Sequence, residues 1–198
     1  MIRRNVLLVL LFGSLWGLLE VSLGEALYSA NIPYSSVFLS ILALGILGIA
    51  YTLIPMTGVP TLIAATAALF RIVNAGPSLC HLLGIFLLGV GFDIATRLIR
   101  ERKLSWLSGA IGAWLGYALF AFLITYVFRY HHWTAVGFPK VIRHIGIDGS
   151  LAALGSAASV WLGYKIGDHI IEFMETKPRL VYAGATGFTL CFWLLGAI

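Results

Sequence analysis

Glu20 stands inside LLFGSLWGLLEVSLGEAL (Leu10–Leu27), a stretch otherwise composed almost wholly of apolar and small residues. An ionised side chain in hydrocarbon costs roughly 2.5–3.5 kcal/mol on insertion scales, so it faces protein or a cavity, and it has a partner or a task. Arg71, in a second apolar stretch, is the residue best suited to neutralise it. Asn74 lies three residues on, on the same helical face, and His81 follows at a similar depth. Two readings stay open. Glu20 and Arg71 form a structural ion pair, or they border a pocket for a polar solute together with Asn74 and His81. An ion pair at the floor of a pocket satisfies both. Small-molecule sites combine apolar walls with a few placed polar groups, so Trp16, Tyr28, Tyr34 and Trp114 are candidate lining aromatics.

A second charged group consists of Asp93 and Arg97, four residues apart, with Lys165 and Asp168 later in the chain. The first two have the spacing of an intrahelical pair. They anchor one interface of the protein or form a surface for a partner. His131, His132 and His144 belong to one polar connection, with His81 nearby, but HHW and a histidine twelve residues later match no compact ligand spacing. These three are expected to be solvated loop residues, so no metal, haem or other cofactor is assigned. No GxSG, HExxH, DxxD or paired acidic motif is present, and no catalytic residue is assigned.

The elements that position these residues follow from composition. Hydrophobic residues make up 60% of the 198 and charged residues 11%, against about a quarter in soluble domains. Mean hydropathy is +0.97. The fold class is all-α, a polytopic helical membrane protein of one domain with six or seven transmembrane helices. The spans are expected at Asn5–Leu27, Ser36–Ile54, Val59–Asn74, Leu79–Ile99, Ser105–Phe128, Gly149–Ile171 and Leu180–Ile198. NIPYSS, PMTGVP and NAGPS break the first four by turn chemistry. The third span is short; if it only dips in, the count is six. The apolar run of the first span continues past Gly24 without a small-x-small cleavage site, so it reads as a retained helix and not a signal peptide. Cys80 and Cys191 read as small core residues.

With a cytoplasmic N-terminus, that side carries Arg3, Arg4, Arg97, Arg100, Arg102, Lys103, Lys177 and Arg179, and the opposite side only Arg129, Lys140 and Arg143. The bias favours N-in. The longest polar connection, Arg129–Gly149, is then outside, either as a solvated loop or as a cap held at the interface by Trp133 and Phe138. Small residues four apart (Gly13 and Gly17, Gly112 and Gly116, Gly155 and Ser159, Gly163 and Gly167) permit close helix contact. Internal packing is their usual use. For GSLWG a docking face for another membrane subunit is the alternative.

IPYSSVFLSILALGILGIAYTLIPMTGVPTLIAATAALFRIVNAG (Ile32–Gly76) has a proline after the first span, a glycine-rich second span, a Pro–Gly turn and an alanine-rich third span ending in a basic residue and a glycine. This pattern resembles the substrate-binding S-components of energy-coupling factor (ECF) transporters, over about the first half of the chain. The resemblance implies uptake of a vitamin-like or cofactor-precursor small molecule across the cytoplasmic membrane of a prokaryote. It implies an outward site closed by the first outer loop, here Tyr28–Ser36. It also implies docking through Gly13 and Gly17 on a transmembrane coupling protein that carries two cytoplasmic ATPases. Other partners are membrane lipids and the solute, with no nucleic acid. No Walker A motif is present, so ATP coupling requires those other subunits. The family commonly has six spans where this chain has seven, and its metal-specific branch uses a histidine near the N-terminus that MIRRN lacks. Two further classes stand beside this one: a membrane scaffold or assembly subunit without a ligand, and an intramembrane haem- or metal-binding protein or lipid-modifying enzyme.

Overall fold

The computed structural model describes residues 2–99, 101 and 104–196, with side chains from Arg4 onward. Arg100, Arg102 and Lys103 lie outside the described residues, as does the side chain of Arg3, so part of the charge bias has no structural counterpart. The described chain is helical: α1 (Ile2–Ser29), α2 (Ser35–Leu53), α3 (Val59–Ala75), α4 (Leu79–Leu98), α5 (Ser105–Phe122), the short α6 (His131–Thr134) and α7 (Phe138–Arg143), α8 (Gly149–Thr176) and α9 (Pro178–Gly196). Six helical stretches are long and apolar enough to cross a membrane. The protein is therefore an all-α integral membrane protein. α3, at 17 residues, is shorter than these six. At 1.5 Å per residue it rises roughly 25 Å, near the lower limit for a span.

Helices form here because hydrocarbon offers no partner to a free amide, and a helix satisfies its own. They end where proline and positive φ interrupt the ladder. Asn31 and Tyr34 take φ of 53° and 60° around Pro33, and Gly58 takes 88° between Pro55 and Pro60. Gly76 takes 77° before Pro77. Only glycine adopts such angles freely.

Six helices close a ring in which each packs on two neighbours, in the order α1, α3, α4, α5, α8, α2 and back to α1. The ring surrounds a core that includes Phe12, Trp16, Leu44, Leu47, Ile63, Phe92 and Val160. Its seams are cut by small residues. A Cβ on Gly13 would strike Thr66, and one on Gly17 would lie 2.6 Å from Phe70 Cβ. α3 therefore fills the Gly13–Gly17 groove, and that face, expected from the resemblance to receive a coupling protein, is consumed inside the chain. Gly163 similarly abuts the Gly45 carbonyl across the α2–α8 seam.

α9 stands outside the ring against α1 and is little buried, Ala185 being its one buried residue. Trp193 Nε1 donates to Ser14 Oγ at 2.9 Å, and the Trp193 ring meets Phe70 edge-on at 4.8 Å. Cys191 is exposed on this helix and Cys80 is half-buried, so neither is a core residue as expected from the sequence.

Candidate solute site

The site arises from how α4 leaves α5. Gly91 lies so close to α5 that a Cβ there would sit 2.8 Å from the Gly116 nitrogen and strike the Gly112 carbonyl. Two turns earlier on α4, a Cβ on Gly84 would meet nothing nearer than a Phe120 ring carbon at 4.0 Å. The two helices touch backbone to backbone at mid-length and splay apart toward one end of the ring. Between them and their neighbours at that end lies a cavity of about 530 Å³, within the roughly 300–1,000 Å³ of small-molecule sites.

The connection from α5 to α8 closes over this end. It leaves α5 through a wide π turn at Leu123–Val127, reverses at Arg129 (φ 48°) and Gly137 (φ 69°), and enters α8 through a second π turn at His144–Asp148. Trp133 and Val141 pack on Ala121 and Ile124 of the α5 end in a small core of their own. Trp133 is thus buried in the cap, while Phe138 is exposed. His144 is neither solvated nor free, contrary to the sequence expectation. Its ring stacks on Tyr117 (4.8 Å, 27°), meets Trp133 edge-on at 5.0 Å, and its Nδ1 lies 2.8 Å from Asp148 Oδ2. Both His144 and Trp133 line the cavity. His131 and His132 are exposed.

Four residues expected at a pocket line this one: Glu20 and Tyr28 of α1, Arg71 of α3 and His81 of α4. Tyr28 belongs to the rim, being 81% exposed. Trp16 stands behind the wall in the core, where its indole N–H donates to Glu20 Oε1 at 3.1 Å. Asn74 does not line the cavity. Its amide donates to the Phe70 carbonyl at 2.7 Å, and its Cγ lies 3.0 Å from where a Gly196 Cβ would be, so it faces α9. Tyr34 is exposed in the α1–α2 turn, with φ of 60°. Trp114 is also exposed on the ring's outer surface.

The expected Glu20–Arg71 ion pair takes a different form. Arg71 Nη1 donates to the main-chain carbonyl of Glu20 at 2.9 Å, not to its carboxylate. Trp16, one turn earlier on the same face, holds one carboxylate oxygen. Glu20 is 7% exposed, and among the described residues its second carboxylate oxygen has no donor. Arg71 Nε is buried and also without a partner.

Residues that no sequence pattern marked complete the walls. Ser36 and Ser40 of α2 and Tyr117 and Phe120 of α5 line the cavity, with Ser40 Oγ and Tyr117 Oη 3.2 Å apart. Ser40 and Tyr117 are separated by 77 positions, and a lone Ser or Tyr in an apolar helix carries no signal of its neighbour.

At the other end of the ring, Asp93 and Arg97 form the expected pair at 3.0 Å. Asp93 does more than pair. Its carboxylate accepts the Gly58 amide (2.9 and 3.0 Å) and the Thr61 hydroxyl (3.1 Å), capping the start of α3 from α4. Lys165 lies over the Trp161 ring at 4.0 Å. Among the described residues no group of three or more His, Cys, Asp or Glu is placed to hold a metal ion. No protein-family model, curated protein or solved structure matches the chain.

Proposed function

We propose that this protein is the membrane-embedded solute-binding subunit of an ECF-type uptake transporter, taking a vitamin-like or cofactor-precursor small molecule. The observation that carries the reading is the capped cavity at one end of the helix ring. It is lined from five ring helices and the cap, and it holds a buried carboxylate, a guanidinium and an aromatic cluster. A scaffold without a ligand has no use for a hollow in which ionisable groups lie unpaired, because burying a charge without a partner is costly. On the charge bias of the loops, the cavity end faces outward and the Asp93 end faces the cytoplasm.

In this reading the α6–α7 cap and the Tyr28–Ser36 turn border the route of entry. A coupling protein docks elsewhere than on Gly13 and Gly17, since α3 fills that groove. ATP hydrolysis belongs to separate subunits. The test is affinity purification of the tagged protein from its native membrane in mild detergent, with partners identified by mass spectrometry. Recovery of a larger membrane protein with a pair of ATPases is the expected outcome. A protein that comes down alone, under conditions that keep its fold, removes the transporter assignment.

A further inference from the structure

We infer that the cavity takes a small molecule carrying both a protonated nitrogen and an anionic group on a flat unsaturated body, with the nitrogen at Glu20 and the anion at Arg71. The inference rests on the solute-binding reading and adds the chemistry of the solute. Glu20 and Arg71, of opposite charge, line one cavity together with the exposed Glu25, yet among the described residues no direct bond joins the Glu20 carboxylate to the guanidinium. The Glu20 carboxylate is buried, takes one hydrogen bond from Trp16, and has an oxygen without a donor. Arg71 spends Nη1 on a main-chain carbonyl and keeps a buried Nε without an acceptor. A buried acid and a half-buried base have charge-assisted bonds as the strongest available to either. Held apart by Trp16 on one side and the Glu20 carbonyl on the other, each is left to find its partner elsewhere.

A solute of one sign satisfies one of these groups and leaves the other without a counter-charge. A solute of both signs satisfies both, which is the complementarity that gives a binding site its specificity. The body of the solute is specified by the opposite wall. Tyr117 and His144 are stacked there, Trp133 stands edge-on to His144, and Phe120 stands edge-on to Trp133. Such an aromatic cluster favours a planar unsaturated partner by offset stacking or edge contact. The Ser40–Tyr117 hydroxyl pair adds a neutral donor and acceptor beside it.

The experiment exposes the purified full-length protein to a small-molecule extract of bacterial cells, washes it, releases the retained compounds by heat and identifies them by mass spectrometry. Enriched compounds should carry both a basic nitrogen and an acidic group on an unsaturated framework. Glu20→Gln and Arg71→Gln, each keeping the size and hydrogen-bonding shape of the side chain as far as a neutral residue can, should each reduce their capture at least about tenfold, since a charge-assisted hydrogen bond is worth that much. Enrichment only of compounds of one sign or of neutral compounds overturns the inference and leaves the solute-binding reading standing. Enrichment of nothing overturns both. Equal capture by both variants and the parent overturns the assigned contacts. The parent protein alone decides the charge class, even where a variant fails to fold.

Discussion

The two ends of the helix ring hold the same kinds of charge in opposite states. At one end Asp93 bonds an arginine, a main-chain amide and a hydroxyl, and joins α4 to the turn before α3. At the other, Glu20 and Arg71 line a common cavity, and the guanidinium bonds the Glu20 main-chain carbonyl and not its carboxylate, while Arg71 Nε has no partner. The helix packing differs in the same sense. α4 and α5 meet backbone to backbone at Gly91 and Gly112, and stand apart at Gly84. Neither end is fully satisfied, since Arg4 Nε and Asn5 Oδ1 are buried without partners toward the Asp93 end; at the cavity end the unmet groups border a hollow. On the solute-binding reading proposed above, the loose end receives the solute, and bonding state, more than charge itself, distinguishes it from the Asp93–Arg97 pair.

The comparison breaks first at Asp93. Asp93→Ala leaves the Gly58 amide and the Thr61 hydroxyl without their acceptor, and unsatisfied part-buried donors cost about 1–3 kcal/mol each. A loss of about 3 kcal/mol is expected, read as a marked fall in the melting temperature in detergent. Gly91→Ala comes next. Its Cβ meets main-chain atoms of Gly112 and Gly116, which cannot turn aside as a side chain can. About 2 kcal/mol of destabilisation is expected from such overpacking.

Glu20→Gln sharpens the contrast in the other direction. The amide keeps an acceptor for the Trp16 indole and removes a buried charge that has no ion pair, so stability should change by less than about 1 kcal/mol. A collapse of the fold comparable to that of Asp93→Ala would place Glu20 with the structural charges and erase the distinction. The smallest effect belongs to Gly84→Ala. There is room for the methyl at the cavity wall, and a change within about 0.5 kcal/mol is expected in thermal unfolding. Were it as damaging as Gly91→Ala, the splay of α4 from α5 would not be the source of the cavity.

The helices were legible in the sequence and their arrangement was not. Each of the seven expected spans overlaps one helix, though Ser105–Phe128 runs on through the π turn at Leu123–Val127 and the last two residues of Leu180–Ile198 lie outside the described residues. A run of apolar residues and a Pro or Gly break are local features, read one segment at a time. The small-residue pairs announced close contacts without naming the contacts: Gly13 and Gly17 receive α3, and no feature of GSLWG distinguishes α3 from a foreign helix. The site was half legible. Glu20, Arg71 and His81 stood out because charge or imidazole in an apolar run is conspicuous by itself. Tyr117 and Ser40 did not, since each is ordinary in its own segment and gains meaning only from what faces it, and Trp133 stood out only as an anchor of the cap. His144 looked solvated because its connection is polar, and the π turn that brings its ring onto Tyr117 left no mark in the residue types.

By itself, then, the sequence determined the solvent this chain is built for, the approximate limits of its apolar segments, and which of its charges needed an explanation. Those are consequences of transfer free energy and backbone conformation, which belong to single residues and their near neighbours. Only the tertiary structure decided the order of helices around the ring, the place of α9 outside it, the cavity where α4 and α5 part, and the bond that takes Arg71 to the Glu20 main-chain carbonyl and not to its carboxylate. Those depend on which faces of distant segments fit together, and fit is a property of pairs that no single segment carries.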